Sequence, residues 1–326
     1  MSRRALVTGA TGFVGSHLAE RLVAAGWQVR ALVRATSNTA HLEALGVERA
    51  VGDLEDSGAL RAAVSGVDTV FHLAAVVAAR TEAGYRRANV AGTRGVAEAI
   101  ASADQPPRRL VYLSSYAACG PAVDGRPRRT DEPPRPLTAY GRTTLEGEAA
   151  ARALEARGAE VIVIRAPAVY GPRDRALLPY FRMVRHGLAP APGGRERRLH
   201  LIYAPDLARA LANAADVEGG TYAVAEPVEH TWGALVRQIE RAVGRRAVRL
   251  PLPPPLVRAA AAATQAAGAL AGAAVAFNRE KAEEMLAPAW TCDLAGSVEL
   301  LAPLGATPLA EGMARTVQWY RTQGWI

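Results

Sequence analysis

The sequence predicts an α/β fold in which helices cover both faces of a parallel sheet, followed by a smaller, mainly helical C-terminal region. Apolar, strand-like segments alternate with helical segments through the first half of the 326 residues, as in doubly wound parallel sheets. A glycine-rich turn separates the first predicted strand from the first predicted helix. After Gly171 and Pro172 the alternation gives way to helical and Pro/Gly-rich stretches, so the chain divides into two regions.

The strands of the first half are short apolar runs bounded by turn residues. They are predicted at residues 5–7, 29–33, 48–51, 67–73, 109–114 and 161–165. The spacing of apolar residues between them predicts helices at residues 16–25, 39–45, 60–64, 85–102 and 140–157. Residues 118–136 include five prolines and no periodic pattern, so we expect a loop over the site.

The second half predicts fewer strands and more helix. Its expected elements are a helix at 177–187, a loop at 189–198, strands at 200–203 and 221–225, a helix at 232–243 and a break at 251–255 followed by helix. Asp206 is predicted to cap a helix over 207–213, because a carboxylate there accepts hydrogen bonds from the first backbone amides.

The formal net charge is +8 at pH 7, which is one signature of a nucleic-acid-binding protein. The arginines are scattered, however, and the sequence shows no basic helix and no basic patch interleaved with aromatic residues. Anionic cofactors and substrates account for part of the charge. We therefore predict no nucleic-acid partner, and the sequence indicates no metal-ligand set.

Cys119 and Cys292 are the only cysteines, too few for a disulfide framework, so a reducing, cytoplasmic location is predicted. The sequence opens on a predicted strand without a signal-peptide pattern. Residues 259–277 are mostly alanine and glycine, and alanine contributes little to membrane insertion. We expect this stretch to be a helix packed on the protein, without stable membrane insertion.

Gly9, Gly12 and Gly15 follow the first strand at the spacing G-x-x-G-x-x-G and open the first helix. Such a turn lets the backbone approach a pyrophosphate, and the helix N-terminus offers free amide groups and a positive dipole end. Glycines also form ordinary tight turns. The order strand, glycine turn, helix favours dinucleotide binding, and with it a sheet of the Rossmann type.

Eight groups of residues, the glycine turn among them, lie between residues 8 and 208. They are Thr8-Gly-Ala-Thr-Gly-Phe-Val-Gly15, Gly52-Asp53-Leu54, His72-Leu-Ala-Ala75, Asn89-Val-Ala-Gly-Thr93, Leu113-Ser-Ser115, Tyr140-Gly141, Arg165-Ala-Pro167 with Val169-Tyr-Gly-Pro172, and Asp206-Leu-Ala208. On these motifs the chain resembles the extended short-chain dehydrogenase/reductase family, which includes NAD-dependent sugar epimerases, dehydratases and 3β-hydroxysteroid-dehydrogenase-like reductases.

The resemblance implies a division of the chain and a homodimer. Residues 1–170, with 200–225 returning to them, would form the dinucleotide-binding Rossmann domain. Residues 171–199 and 226–326 would bind the substrate. The homodimer would form through the long helices at 85–102 and 140–157.

The resemblance also implies a role for each matching residue. The pyrophosphate would be held by the glycine turn, namely Gly9, Thr11, Gly12, Phe13, Val14 and Gly15. The remaining cofactor contacts would come from Asp53 and Leu54 at the adenine, Leu73, Ala74 and Ala75 at the nicotinamide ribose, and Pro167 and Val169 behind the nicotinamide ring. Asn89 would be a structural bridge, Ser115 would hydrogen-bond the substrate oxygen, and Tyr140 would be the acid/base beside the cofactor.

Arg34 follows the second predicted strand, where NAD-binding proteins usually carry an acidic residue that accepts hydrogen bonds from the ribose hydroxyls. A guanidinium instead suits a 2′-phosphate, because it combines a full charge with a planar fork of donors. A solvated arginine at a strand end is the alternative in so arginine-rich a chain. Arg34 therefore predicts NADP as the cofactor, with NAD as the alternative.

The family motif Tyr-x-x-x-Lys is altered, because Thr144 stands four residues after Tyr140. The lysine normally binds the ribose and lowers the pKa of the tyrosine by its charge. Arg142 lies on another helix face, and Lys281, the only lysine, is far away in sequence. Thr144 still offers a hydroxyl to the ribose. Because ketone reduction needs a protonated tyrosine, the substitution favours reduction over alcohol oxidation.

Three functions remain open on these residues. The first is an NADP-dependent reductase or dehydrogenase for a small or medium-sized, apolar carbonyl or alcohol. The second is a nucleotide-sugar epimerase or dehydratase that grips a diphosphate through arginines; the candidates are Arg173, Arg175, Arg195, Arg197 and Arg198. The third is a binding protein without catalysis, although the presence of both Ser115 and Tyr140 argues against it. Cys119 is expected near the substrate pocket, with packing as its simplest role.

Overall fold

The computed structural model describes residues 2–193, 196–275 and 277–326, so Arg195 lies outside the described residues. The strands are β1 (Arg4–Thr8), β2 (Gln28–Val33), β3 (Glu48–Val51), β4 (Thr69–His72), β5 (Arg109–Ser115), β6 (Glu160–Ala166), β7 (Ala168–Tyr170), β8 (Leu188–Pro192), β9 (Arg198–Leu199), β10 (Leu201–Tyr203), β11 (Gly220–Ala223), β12 (His230–Thr231), β13 (Val248–Leu252) and β14 (Ala289–Trp290).

The helices surround these strands and dominate the C-terminal third. They are α1 (Phe13–Ala24), α2 (Ala40–Ala44), α3 (Ser57–Val64), α4 (Glu82–Arg86), α5 (Gly92–Ala101), α6 (Ala139–Arg152), α7 (Leu178–Arg185), α8 (Ala204–Asn213), α9 (Trp232–Val243), α10 (Pro254–Leu270), α11 (Arg279–Leu286), α12 (Val298–Leu301) and α13 (Leu309–Thr322). Within the described residues, no helix is both long and apolar enough to cross a membrane.

Seven strands form one parallel sheet in the order β11-β6-β5-β4-β1-β2-β3. With helices on both faces, this sheet confirms the predicted doubly wound fold of the Rossmann type. β1 pairs with β2 on one side and with β4 on the other, so Thr8 is level with Leu32 and His72. The strand order reverses here, and ligands of such sheets bind in the crevice outside the carboxyl ends at this reversal.

Successive residues of the central strands bury opposite faces of the sheet, because strand side chains alternate. One face carries Val7, Phe71 and Val111 and is covered by α1 and α8. The other carries Leu6, Val70 and Leu110 and is covered by α3, α5 and α6. Each of these fully buried side chains stabilises the fold by roughly 1.5–3 kcal/mol. The sheet therefore fixes the strand ends that position the site.

Several helices of the first half differ in their bounds from the prediction: α3 begins at Ser57 rather than residue 60, and α6 ends at Arg152 rather than residue 157. α1 begins at Phe13, three residues earlier than expected, because it starts directly after the N-cap residue Gly12. The helix predicted at 85–102 runs from Glu82 to Ala101, but it widens into a π-helical turn over Arg87–Ala91. Such turns insert one residue into the helical repeat without an obvious sequence signal, and they are frequent at functional sites.

In the second half, the predicted loop at 189–198 is wrong in its first part. Residues 188–192 form β8, which pairs in parallel with β13, and β13 also occupies the start of the predicted break at 251–255. Prolines within both strands gave the sequence the character of a loop, yet prolines are tolerated in short strands that use few ladder hydrogen bonds. β8 forms only because its partner β13, about 60 residues later in the sequence, lies beside it in the fold.

Asp206 is not the N-cap that the sequence predicts. α8 begins two residues earlier, at Ala204, and its N-cap residue is Tyr203. The Asp206 carboxylate instead accepts from the backbone amide of Thr307 (2.6 Å) and pairs with Arg209 (3.0 Å). Its negative charge still lies in the first turn, where the helix dipole favours it. The side chain therefore fastens the C-terminal region to α8.

A buried ion pair joins the sheet to α6. The Arg165 guanidinium, on β6, donates from Nε and Nη2 to the two carboxylate oxygens of Glu148, at 2.9 and 2.7 Å. The two side chains are 8% and 4% exposed. Ser114, next to the end of β5, donates its hydroxyl to Glu148 as well. One carboxylate on α6 thus holds β5 and β6 at a fixed distance from the helix.

We expect Glu148→Gln to lower the free energy of unfolding by about 3–5 kcal/mol, because it leaves the buried Arg165 charge without its counter-charge. The measurement is urea unfolding of the purified variant at pH 7. Glu155→Gln is the control, since Glu155 forms an exposed pair with Arg152 that is worth less than about 1 kcal/mol. Equal losses in the two variants would contradict this account of the pair.

Candidate active site

The glycine turn after β1 forms a cradle at the strand-order reversal. Gly9 has φ +74°, and a Cβ on it would lie 2.8 Å from the backbone nitrogen of Ala74. A Cβ on Gly15 would lie 2.1 Å from the carbonyl oxygen of Gly9, so only glycine lets α1 start this close. Gly12 and Thr11 are exposed on the open side. This space fits a pyrophosphate placed against the amino end of α1.

Behind the turn, a buried chain of hydrogen bonds joins β1, β4 and α5. The amide of Ala74 donates to Thr8 Oγ1 (3.2 Å), which lies 2.6 Å from His72 Nδ1. His72 Nε2 lies 3.0 Å from Thr93 Oγ1, and Thr93 donates its proton to the carbonyl oxygen of Asn89 (2.7 Å). Thr93 therefore accepts from His72 Nε2–H, and Nδ1 accepts from Thr8. Burial lowers the pKa of His72 to about 4, which keeps the ring in the neutral form that this chain requires.

Asn89 lies in the π-helical turn and connects the loop after β4 with α6. Its Oδ1 accepts from the amide of Val76 (2.8 Å), and its Nδ2 donates to the carbonyl oxygen of Val76 (3.1 Å). Nδ2 also lies 3.3 Å from Thr143 Oγ1, on the residue before Thr144. The side chain has the bridging geometry that the family resemblance implies, and the π-helical turn is what directs it inward.

A close approach of α6 to the end of β5 positions Tyr140. A Cβ on Gly141 would lie 2.3 Å from the carbonyl oxygen of Ala117, so the glycine after the tyrosine lets the helix touch the backbone beyond β5. This contact brings Tyr140 beside Ser115, the last residue of β5. Ser115 is half-buried, and its Oγ accepts from the amide of Ala117 (3.1 Å). Its hydroxyl proton can therefore point toward a substrate oxygen.

The Tyr140 phenol is kept in its protonated form. Burial raises its pKa above the ordinary value of 10, and this is the largest influence. Hydrogen bonding with Ser115 and Thr144 lowers the pKa, whereas the negative charge of Glu284 raises it further. The net direction is upward, so at neutral pH the side chain is a proton donor rather than a base.

No cation occupies the helix position where the family pattern has lysine. Thr144 is buried and donates its hydroxyl to the carbonyl oxygen of Tyr140 (2.7 Å), so only its oxygen lone pairs remain for a ribose. Arg142 points elsewhere and pairs with Glu82 (3.0 Å) and Glu280 (3.5 Å). The site thus has the tyrosine and the serine without the usual positive charge beside them.

The residues predicted at the adenosine end follow β2 and β3. Arg34 directly follows β2 and is exposed, in a turn that the amide of Ser37 closes onto its carbonyl oxygen (2.9 Å). Asp53 is exposed just beyond β3. Leu54 packs on α5, where a Cβ on Gly92 would lie 2.7 Å from its Cδ1. All three side chains lie at the carboxyl edge of the sheet, on the β2 and β3 side of the glycine turn.

The residues predicted at the nicotinamide end follow β4 and β6. Leu73 and Ala74 are half-buried and Ala75 is exposed, directly after β4. Pro167 lies between β6 and β7, and Val169 lies within β7; both are half-buried. Because β4 and β6 flank β5, these segments lie on either side of Ser115 at one edge of the sheet.

The arginines considered for a diphosphate do not form a common cluster among the described residues, because each has a partner within the chain. Arg173 pairs with Glu20 on α1 (2.6 Å), and Arg175 lies over the ring of Trp325 (5.1 Å). Arg197 is buried and donates to the carbonyl oxygen of Pro192. Arg198 pairs with Glu229 (3.1 Å) and donates to the carbonyl oxygen of Gly125 (2.6 Å). These contacts weaken the nucleotide-sugar hypothesis.

Cys119 and Tyr116 are packing residues behind the site. Both are buried, in a small apolar cluster that also contains Cys292. Burial raises the pKa of Cys119 to about 11, so its thiol is unreactive at neutral pH. The Tyr116 hydroxyl donates to the carbonyl oxygen of Arg128. The packing interpretation of Cys119 therefore agrees with its position.

Comparison with known proteins supports the geometry. Residues 5–225 match the model of the NAD-dependent epimerase/dehydratase family. The chain belongs to this family. It is 30% identical to the ceramide reductase of Caulobacter vibrioides over 98% of this chain and 95% of that protein. It is 32% identical to the 2-alkyl-3-oxoalkanoate reductase of Stenotrophomonas maltophilia, over 73% and 75% of the two chains. The solved structure of MoeE5 with UDP-glucose and NAD is 26% identical, with a TM-score of 0.74 over 98% of this chain and 99% of that one.

Family membership makes this chain an NAD(P)-dependent oxidoreductase or epimerase, and it confirms the resemblance to extended short-chain dehydrogenases/reductases. A nicotinamide dinucleotide is therefore the cofactor class of this chain. No sequence argument identified Glu148, although a signal existed. Glu148 lies four residues after Thr144 and eight after Tyr140, so it shares their helix face, where a charge must be paired. The hydrogen bonds of His72 with Thr8 and Thr93 could not be recognised from the sequence, because the three residues come from three separate elements.

The neutral His72 makes stability depend on pH in a defined direction. Its pKa is about 4 in the folded protein and about 6.5 in the unfolded chain. The unfolded chain therefore binds the extra proton first, and stability falls as the pH decreases below 6.5. We expect this histidine alone to lower the free energy of unfolding by about 2 kcal/mol when the pH decreases from 7 to 5.

The measurement is denaturant unfolding of wild type and His72→Gln at both pH values. All other titrating groups are common to the two proteins, so the wild type should lose about 2 kcal/mol more than the variant over this range. An equal pH dependence in the two proteins would mean that His72 is not buried in its neutral form.

Proposed function

We propose that the protein is an NADPH-dependent reductase that converts an apolar ketone into an alcohol, with Tyr140 as the proton donor and Ser115 as the residue that holds the substrate oxygen. The observation that carries this proposal is the combination of a half-buried phenol beside Ser115, whose pKa is raised, with threonine at position 144. A reduction consumes a proton at the substrate oxygen, and the neutral phenol can deliver it without prior activation.

The cofactor would lie along the carboxyl edge of the sheet. Gly9, Gly12 and the start of α1 would hold the pyrophosphate, and Leu73 to Ala75 would face the nicotinamide ribose. Pro167 and Val169 would lie behind the nicotinamide ring. When bound, the dinucleotide supplies the hydride. The chain's own residues then orient the ketone oxygen between the hydroxyls of Ser115 and Tyr140, and Tyr140 donates its phenolic proton to that oxygen.

The reverse reaction is disfavoured by the same geometry. Alcohol oxidation needs tyrosinate, and both burial and the charge of Glu284 oppose its formation. In the family pattern a lysine four residues on relieves this cost, but here Thr144 carries no charge. An epimerase must first oxidise its substrate, which needs tyrosinate in the resting site, so the protonated resting state favours a reductase over an epimerase.

The substrate class is supported by the relatives. The ceramide reductase and the 2-alkyl-3-oxoalkanoate reductase are both named for molecules with alkyl chains, and both are named reductases. Arg173 and Arg198, which were candidates for holding a diphosphate, are instead paired within the chain, and this removes one argument for an anionic ligand. We propose that residues 171–199 and 226–326 bind a ketone with an alkyl chain.

Tyr140→Phe should lower the rate of ketone reduction by roughly 10²–10⁴-fold, because it removes the proton donor. NADPH binding should remain, since the phenol is not part of the pyrophosphate cradle. The assay is NADPH oxidation with 3-oxo acyl substrates of increasing chain length, together with fluorescence titration of NADPH. Tyr85→Phe is the matched control, because its ring lies 6.4 Å from that of Tyr140 and it has no proposed proton-transfer role. A reductase that keeps its rate in Tyr140→Phe would disprove the proposed acid.

Arg34 would select the cofactor by binding the 2′-phosphate at the end of β2. Charge-assisted hydrogen bonds are worth about 1.5–3 kcal/mol, so Arg34→Ala should weaken NADPH binding by roughly 10- to 100-fold and leave NADH binding almost unchanged. Arg108→Ala is the control, because Arg108 is equally exposed but precedes β5 at the opposite edge of the sheet. If NADH binds more tightly than NADPH to the wild type, NAD is the cofactor.

A further inference from the structure

Helix α11, from the C-terminal region, lies across the first turn of α6. Both carboxylate oxygens of Glu280 accept from the backbone amide of Ala139, at 2.8 and 2.9 Å. One turn later, Glu284 Oε1 accepts from the Thr138 hydroxyl (3.0 Å), and Thr138 is the N-cap residue of α6. Two carboxylates of one helix therefore hold the two residues that come immediately before Tyr140.

This contact follows the electrostatics of helix ends. The first amides of a helix have no partner within the helix and carry the positive end of its dipole, so an acidic side chain stabilises them. Thr138 supplies one acceptor within α6, for the amide of Gly141 (3.1 Å). Glu280 supplies the other from a separate element. The first turn of α6 is thus completed by the C-terminal region.

Glu284 has a second neighbour in Lys281, whose Nζ lies 2.7 Å from Oε2. Lys281 is the only lysine of the chain and is largely exposed, whereas the Glu284 side chain is 12% exposed. The ammonium therefore offsets part of the Glu284 charge from the solvent side. The carboxylate itself faces the site.

The groups around Tyr140 come from four elements. β5 contributes Ser115 and Tyr112, α4 contributes Tyr85, α6 contributes Thr144, and α11 contributes Glu284. Glu284 is the only charged side chain among these neighbours. It acts in the same direction as burial, because a negative charge raises the pKa of a neighbouring phenol.

We propose that Glu280 and Glu284 are positioning residues for Tyr140, which fasten the first turn of α6 to the substrate-binding region through the Ala139 amide and the Thr138 hydroxyl. The inference rests on the proposed role of Tyr140 in ketone reduction. Besides these contacts, the charge of Glu284 acts on the tyrosine from α11, whereas the family pattern relies on a lysine within α6. Because α11 is part of the region proposed to bind substrate, it would also couple that region to α6.

The test of Glu284 is the alkaline limb of the pH profile of kcat/KM for ketone reduction. Activity is lost as the pH rises through the pKa of Tyr140, because only the protonated phenol donates. Glu284→Gln keeps an acceptor for Thr138 but removes the charge, so the limb should move to lower pH. Lys281→Gln removes the offsetting cation and should move the limb to higher pH.

Glu283→Gln is the matched control, since Glu283 is the adjacent residue on α11 but is exposed and pairs with Arg258 (2.7 Å). Its limb should coincide with that of the wild type. A purely structural role for Glu284 would change the rate at all pH values and leave the position of the limb unchanged. That result in Glu284→Gln, or the same shift in Glu283→Gln, would overturn the inference for Glu284.

Glu280 is tested by separating kcat from KM. Glu280→Ala should lower kcat by roughly tenfold through misplacement of Tyr140, with the KM for NADPH almost unchanged. Glu280→Gln retains one acceptor for Ala139 and should recover most of the activity. Equal kcat in Glu280→Ala and wild type would show that the contact does not position the tyrosine.

A failure of the inference about α11 can be distinguished from a failure of the proposed function. If Tyr140→Phe retains the reductase rate, the role of Tyr140 itself is wrong, and the α11 inference fails with it. If Tyr140→Phe loses the rate but Glu284→Gln keeps the limb of the wild type, only the inference about α11 is wrong.

Discussion

The bidentate pair between Arg165 and Glu148 is the constraint on which the site depends. The two side chains are almost fully buried, so their charges must be satisfied by each other and by the few polar groups around them. Those groups are the Ser114 hydroxyl and the carbonyl oxygen of Thr130. The Glu148 carboxylate, on α6, binds Arg165 on β6 and Ser114 near the end of β5. These contacts together favour one position of α6 over the sheet. Tyr140, two turns before Glu148 on the same helix, is thereby placed beside Ser115.

A second buried network of hydrogen bonds holds the segments around the glycine turn together. His72 joins Thr8, at the end of β1, to Thr93 at the start of α5, and the Ala74 amide completes the chain at the loop after β4. A neutral histidine can donate at one nitrogen and accept at the other, so every member has one defined role. Asn89 continues the connection to α6 through Thr143. The glycine turn, the loop beside it and the catalytic helix are therefore parts of one rigid arrangement.

The electrostatics of the site are the reverse of those in the Tyr-x-x-x-Lys pattern. The chain has 39 Lys and Arg residues against 31 Asp and Glu residues, yet the charge that raises the pKa of the proposed acid is the carboxylate of Glu284. An arginine close to Tyr140 in sequence, Arg142, forms an ion pair with Glu82 instead. A buried phenol next to a carboxylate stays protonated. This environment suits the proposed proton donation to a ketone, in which α11 would take part although it lies far from Tyr140 in sequence.

The sequence by itself determined the doubly wound sheet, the glycine turn after β1 and the family motifs that contain Ser115, at the end of β5, and Tyr140, in α6. These features are encoded locally, in strand-length apolar runs, in glycine spacing and in residues that follow strand ends. Only the tertiary structure decided where α6 begins and what surrounds its tyrosine, because Glu148, His72 and Glu284 act through partners far away in sequence. The same reason explains the errors at β8, where the pairing strand is distant, and at Asp206, whose carboxylate binds Thr307. Local patterns fix strands and turns, whereas buried charges and hydrogen bonds are satisfied only once the whole chain has folded around them.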